Sequence, residues 1–213
     1  MSHTFDNFFH TATGNDSYGY QRCLAGDTAG RACQSLLINI PTGLGKTAAV
    51  VLAWIWNRVA HPDATHRDTW PRRLVYCLPM RTLVEQTRDE TRKWITNLFD
   101  AGLIPVDLKP RVVVLMGGEI LDDEDKDWDI YPEANTIIIG TQDMLLSRAL
   151  NRGYGMARAR WPMHFGLLNN DCLWVLDETQ LMGVGVRTSA QLEGLRRRIG
   201  TALGCATWWA SAT

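Results

Sequence analysis

A lysine and a threonine directly behind a glycine turn, Gly43-Leu44-Gly45-Lys46-Thr47, are chemically matched to a polyphosphate that carries a cation. Glycines at 43 and 45 let the backbone turn tightly and point N–H groups inward. Lys46 supplies a point charge for the outer phosphates, and the Thr47 hydroxyl can ligate Mg²⁺. Thr42, Gly43, Leu44, Gly45, Lys46 and Thr47 are therefore expected to cradle a nucleoside triphosphate. One position departs from the G-x-x-x-x-G-K-[ST] pattern: its first small residue is here Ile40. A second set lies far downstream. Asp177-Glu178 follows the apolar run Trp174-Val175-Leu176, so both carboxylates are expected at the tip of a buried strand. There Asp177 can hold Mg²⁺ together with Thr47, and Glu178 can orient or deprotonate the water that attacks the γ-phosphate. Lys46, Asp177 and Glu178 are the expected catalytic set.

These residues need a scaffold that delivers strand ends to one edge. Six short apolar runs recur, at 36–40, 74–78, 112–116, 136–140, 172–176 and 205–210. They lack apolar/polar alternation, as parallel strands covered on both faces do. Between them lie helical patterns. Residues 81–99 place Val84, Thr87, Thr91, Trp94, Ile95 and Leu98 on one face, and 186–199 turns Leu192, Leu195 and Ile199 inward with Arg196-Arg197-Arg198 near its C-terminus. The alternation predicts an α/β, doubly wound, mainly parallel sheet with helices on both faces. In such sheets ligands bind beyond the carboxyl ends of the strands. Those ends are rich in small, hydroxyl, amide and charged residues: Pro79, Arg81 and Thr82; Gly117 and Gly118; Thr141 and Gln142; Gln180 after the carboxylates; and Ser211 and Thr213. Two long connections, 117–135 with its acidic run 122–127 and 151–171, exceed what a minimal unit needs and are expected as loops.

Bulk properties narrow the class. The 213 residues fit one large domain, and 22 basic against 23 acidic residues give a net charge of −1, so a polyanion would have to meet a local patch. The charges are segregated, with 3 basic and 9 acidic residues over 101–140 but 8 and 5 over 141–213. Five cysteines without a C-x-x-C spacing are expected as reduced core residues. His61, His66 and His164 are expected at the surface, and most of the nine tryptophans in the core. No signal sequence or membrane-length apolar run is present, so the expected location is the cytoplasm, away from membranes.

Taken together, residues 40–47, 78–86, 141–145, 176–183 and 210–213 resemble motifs I, Ia, Ib, II and III of superfamily 2 helicases. The wording Leu-Asp-Glu-Thr-Gln-Leu-Met-Gly at 176–183 resembles more particularly the helicase part of the CRISPR-associated helicase-nuclease of type I systems, although Thr179 stands where that family is often hydrophobic. Residues 9–21 look like a Q motif, in which Gln21 would recognise adenine. The resemblance implies a RecA-like, P-loop NTPase fold: residues 1–30 an adenine-recognition segment, and 31–213 the first RecA-like domain. It implies ATP and Mg²⁺ as cofactors and single-stranded DNA as partner. The DNA would lie along Pro79, Arg81, Thr82, Gly117, Gly118, Thr141 and Gln142. Separately from the resemblance, the basic run Arg148, Arg152, Arg158 and Arg160 is expected to add non-specific DNA contact. Gln180, Ser211 and Thr213 would couple nucleotide state to that track. It also implies a second RecA-like domain supplying an arginine finger, a histidine-aspartate nuclease domain and a CRISPR surveillance complex as partner. The 213 residues contain neither further domain, and little turnover is expected of them alone. Another superfamily 2 motor, or a non-catalytic nucleotide-binding or docking module, fits the same motifs.

Overall fold

The computed structural model describes residues 4–117, 127–153 and 156–212. Gly118, Thr213 and the acidic positions 122–126 lie outside the described residues. The chain opens with α1 (Phe5–Thr13) and α2 (Gly19–Ala25). Thr4 caps α1 by accepting from the Asn7 N–H, and Gly14 ends it in the left-handed conformation. The face carrying Phe5, Phe8, Phe9 and Ala12 is buried, so this amphipathic segment is part of the core.

Strands and helices then alternate: β1 (Leu36–Asn39), α3 (Lys46–Ile55), the short α4 (Ala64–Asp68), β2 (Arg73–Leu78), α5 (Arg81–Asp100), β3 (Arg111–Leu115), β4 (Thr136–Thr141), α6 (Gln142–Ala149), α7 (Trp161–Asn169), β5 (Cys172–Leu176), α8 (Val184–Ile199) and β6 (Cys205–Ser211). All six expected strands are present, and every pairing is parallel, in the order β1-β6-β5-β2-β4-β3. The absence of alternation in the sequence has its cause here, since β2, β4 and β5 are buried along their whole length. The strands still sort their side chains by the period of two. Leu74, Tyr76, Leu78, Ile137, Ile139, Leu173, Val175 and Trp208 join a core with α1, α2, α3 and α5. Val75, Cys77, Ile138, Trp174 and Leu176 join a second core beneath α6, α7 and α8. Tryptophans close both layers while satisfying their indole N–H groups: Trp54 donates to Pro71 O at 2.9 Å and Trp174 to Leu168 O at 2.8 Å.

Several expectations are corrected. The 151–171 connection contains α7, although Pro162 and Gly166 within it and Asn170 just after it read as loop residues; Pro162 sits in its first turn, where a missing N–H costs nothing. On α8 Leu192 is inward, but Leu195 is 43% and Ile199 73% exposed. The inward position is taken by Arg196, which lies over the Trp174 ring and donates to Asn169 Oδ1 at 2.9 Å. His61 and His164 are buried and not at the surface. His164 bonds Asp129 at 2.8 Å, and Arg160 reaches the same carboxylate, so a paired cluster ties the β3–β4 connection to α7. The five cysteines are free; Cys77 and Cys172 are buried, whereas Cys23 is exposed. No helix among the described residues is long and apolar enough to cross a membrane.

Candidate nucleotide site at the strand ends

The phosphate loop leaves β1 at the edge of the sheet, and its first residue still follows the ladder: the Ile40 N–H donates to Ser211 O at 3.1 Å. The turn then uses both glycines in the left-handed region, Gly43 at φ 82° and Gly45 at φ 74°, which residues with a Cβ rarely adopt. At Gly45 a Cβ would also come within 3.0 Å of the Gln21 amide nitrogen. Lys46 opens α3, so the unpaired amides of a helix N-terminus face the loop beside a lysine.

Lys46 is only 7% exposed, and its ammonium is the centre of the site. It lies 2.8 Å from Glu178 Oε1 and 3.1 Å from Asp177 Oδ1. The structure therefore brings the three residues of the expected catalytic set, one from the start of α3 and two from the turn after β5, into one cluster. The Asp177 N–H continues the β5–β2 ladder by donating to Cys77 O, and the chain then turns sharply because Glu178 adopts φ 57°. A left-handed non-glycine residue stores backbone strain that the surrounding contacts must hold. Here Glu178 is held from both sides. Its carboxylate accepts from Lys46 and from the Gln180 amide, and its own N–H donates to Asp177 Oδ1 at 2.8 Å. Gln180 Oε1 in turn accepts from the Ser211 hydroxyl at 3.0 Å, which joins the carboxylates to the end of β6.

Burial opposes the charge on Lys46, but the bonds it donates to Glu178 and Asp177, with the charges of those carboxylates, outweigh it and raise its pKa above the ordinary 10.5. Burial likewise works against the Glu178 carboxylate, and the bonds from Lys46 and Gln180 outweigh it, so its pKa falls below the ordinary 4.5. The signs define a window. Glu178 contributes stability that is complete above 4.5 and is lost as pH falls through its lowered folded value; Lys46 contributes stability that is complete below 10.5 and is lost as pH rises through its raised one. The stability gap between wild type and Glu178→Gln should therefore be constant near neutrality and close as pH drops below 4.5. Urea unfolding at a series of pH values measures it; a gap that persists at low pH contradicts the pairing.

A cavity of about 670 Å³ opens over this cluster, within the roughly 300–1,000 Å³ typical of small-molecule sites. The phosphate loop and Glu178 form one end, and Tyr18, Gln21, Asn15 and Trp94 lie along its walls. Gln21, expected to read adenine, is buried with its amide already engaged: Oε1 accepts the Tyr18 N–H at 2.8 Å and Nε2 donates to Gly45 O at 3.1 Å. Tyr20 makes the parallel link, its hydroxyl donating to Leu44 O. In this geometry Gln21 and Tyr20 brace α2 against the phosphate loop.

Of the residues expected on a nucleic-acid track, Arg81 and Thr82 are exposed at the N-terminus of the 20-residue α5, with Pro79 half-buried before them and Gly117 beyond β3. Thr141 and Gln142 point inward instead, each with a buried side-chain oxygen that has no hydrogen-bond partner among the described residues. Arg148 is corrected: it is 6% exposed and donates to Met144 O at 2.9 Å, one turn back on α6, so its guanidinium does not reach the surface. In the basic run Arg160 is paired with Asp129, whereas Arg152 and Arg158 remain exposed. One site residue escaped sequence reasoning. Tyr76 on β2 sits in an apolar run and reads as core, yet its hydroxyl donates to Asp177 Oδ2 at 2.8 Å.

Comparison with solved structures supports the architecture. The helicase MrfA bound to DNA superposes with a TM-score of 0.62 at 19% identity, over 100% of this chain and 27% of that one. Dbp5 from S. cerevisiae, in a complex with Gle1, gives 0.57 at 18%, over 100% and 47%. Prp28 from Chaetomium thermophilum bound to ADP gives 0.53 at 21%, over 98% and 43%. The chain thus spans between a quarter and a half of these proteins, and at such identities the likeness shows the fold. No curated protein matches it. The sequence as a whole carries the assignment: residues 21–213 match the model of the DEAD/DEAH box helicase family, and the chain belongs to that family.

Proposed function

We propose that the chain is the ATP-binding half of a DNA-translocating motor, with ATP–Mg²⁺ held between the phosphate loop and Asp177-Glu178. The observation that carries this reading is the Lys46 ammonium within 3.1 Å of both carboxylates, linked onward through Gln180 to Ser211. The donors suit Mg²⁺. Thr47 and Asp177 offer hard oxygens, and among the described residues no group of three or more His, Cys, Asp or Glu side chains comes together. A cation held by one or two protein oxygens plus substrate phosphates is the usual Mg²⁺ arrangement. Bound there, Mg²⁺ would neutralise charge on the β- and γ-phosphates. The protein's own part is to bind and orient. Loop amides and Lys46 hold the phosphates, and Glu178 accepts a proton from the attacking water. Gln180 and Ser211 pass the state of that carboxylate to the strand ends.

No arginine lines the cavity among the described residues. A second RecA-like domain is the proposed source of the cation that stabilises the transferring phosphoryl group. Single-stranded DNA is the proposed track, gripped without sequence readout by Arg81, Thr82 and neighbouring amides. MrfA, crystallised on DNA, supports that choice by analogy. The sequence context of 176–183 supports a role in type I CRISPR interference, recruited by a surveillance complex.

The test is ATP hydrolysis with and without single-stranded DNA or RNA, for residues 1–213 and for the same chain joined to a second RecA-like domain. Little turnover is expected from the first and DNA-stimulated turnover from the second. Brisk hydrolysis by the 213 residues alone contradicts the half-site reading, and stimulation by RNA but not DNA contradicts the choice of track.

A further inference from the structure

Tyr76 is fully buried on β2, and a phenylalanine would fill the same space, so its hydroxyl is the part that calls for a cause. That hydroxyl donates to Asp177 Oδ2 at 2.8 Å. The phenol therefore holds the carboxylate that the proposed function assigns to the cation. The other carboxylate oxygen, Oδ1, is engaged by the Glu178 N–H at 2.8 Å and by Lys46 at 3.1 Å.

We infer that Tyr76 is a positioning residue for cation binding, fixing the Asp177 carboxylate through its hydroxyl. The inference rests on the reading of the site as an ATP–Mg²⁺ site. A buried phenol must place its proton on an acceptor, and Asp177 Oδ2 takes it. With Oδ1 held by the Glu178 N–H and Lys46, and Oδ2 by Tyr76, the carboxylate is fixed in rotation, and Oδ2 keeps a lone pair for a cation. Outer partners of this kind act by orienting the ligands, and their loss typically weakens cation affinity about 10–100-fold.

Tyr76→Phe removes the hydroxyl and keeps the ring. The measurement is the Kd of fluorescent ADP for the 213-residue chain, in Mg²⁺ and in EDTA, for wild type and variant. The tightening conferred by Mg²⁺ is expected to shrink about tenfold in the variant, with the Kd in EDTA unchanged. Equal tightening in both proteins overturns the inference, as does a loss of affinity that is the same with and without Mg²⁺, the mark of a merely structural role. Failure of wild type to bind ADP at all would instead sink the reading of the site. If the variant does not fold, wild type labelled with ¹³C at tyrosine Cζ provides the test, assigned by elimination with phenylalanine at 18, 20, 131 and 154. The Tyr76 signal is expected to move when Mg²⁺ joins the ADP complex, and a signal that stays in place overturns the proposal.

Discussion

Lys46→Ala is expected to weaken ATP binding by about a hundredfold or more. The lysine is the counter-charge of Asp177 and Glu178, the carboxylates that stand beside the phosphate loop. Without it a triphosphate would meet two uncompensated negative charges as well as losing its own cation. A unit charge about 4 Å away in surroundings of effective dielectric about 20 is worth about 4 kcal/mol. That corresponds to about a thousandfold in Kd, and water entering the truncated site would screen part of it. The loop amides and the N-terminus of α3 remain, so binding should fall steeply and not vanish. Isothermal titration with a non-hydrolysable ATP analogue reads the effect. The same substitution should lower stability, because removing one partner of a buried ion pair typically costs about 3–5 kcal/mol. Circular dichroism must therefore confirm that the variant is folded at the titration temperature. A folded Lys46→Ala chain that binds as tightly as wild type would remove Lys46 from the phosphate site.

The phosphate loop and the carboxylate pair were legible in the sequence because their chemistry is local. Two glycines, a lysine and a hydroxyl in a row, and two acids at the end of an apolar run, need no knowledge of what lies opposite. The six strands were legible for a related reason: a strand covered on both faces has to be apolar throughout, and 74–78, 136–140 and 172–176 are. The buried face of α5 follows from its helical period, from Val84 to Leu98.

What stayed hidden depends on partners far away in the chain. Tyr76 is indistinguishable from a core aromatic until Asp177, 101 residues later, is placed against it. Arg148 and Arg196 read as surface charge, and both are buried because a carbonyl or an amide oxygen and, for Arg196, an indole ring receive them. Gln21 is a similar case. Sequence marks it as an amide near the nucleotide, whereas its engagement by Tyr18 and Gly45 emerges only when α2 packs beside the loop. The α7 helix was obscured by Pro162 and Gly166, residues that usually break helices but here occupy a first turn and an open position.

Glu178→Gln is expected to leave ATP binding intact and to lower kcat by about 10²–10⁴-fold, the range that general-base catalysis supplies. Glutamine keeps the side-chain length and an oxygen able to accept from Lys46. Its NH₂ in place of Oε2 can be received if the Gln180 amide turns over, with the Ser211 hydroxyl then accepting from Gln180, so the αL turn and the position of the ammonium should survive. What it loses is the capacity to take a proton. It also removes a negative charge beside the phosphates, which does nothing to oppose their binding. The two roles open to Glu178 therefore separate in the kinetics. If it is the base, kcat falls and the Kd for ATP holds. If it only anchors Lys46, the Kd rises while kcat at saturation survives. The measurement belongs in a chain that carries the second RecA-like domain, with single-stranded DNA present, where turnover is expected. A kcat within about threefold of wild type would show that another group takes the proton. Gln180→Ala provides the contrast. It cuts the link from Glu178 to Ser211 without touching the base, so DNA stimulation should fall while the DNA-independent rate stays level. Equal losses in both rates would instead mean that Gln180 serves only to hold Glu178 in its strained turn.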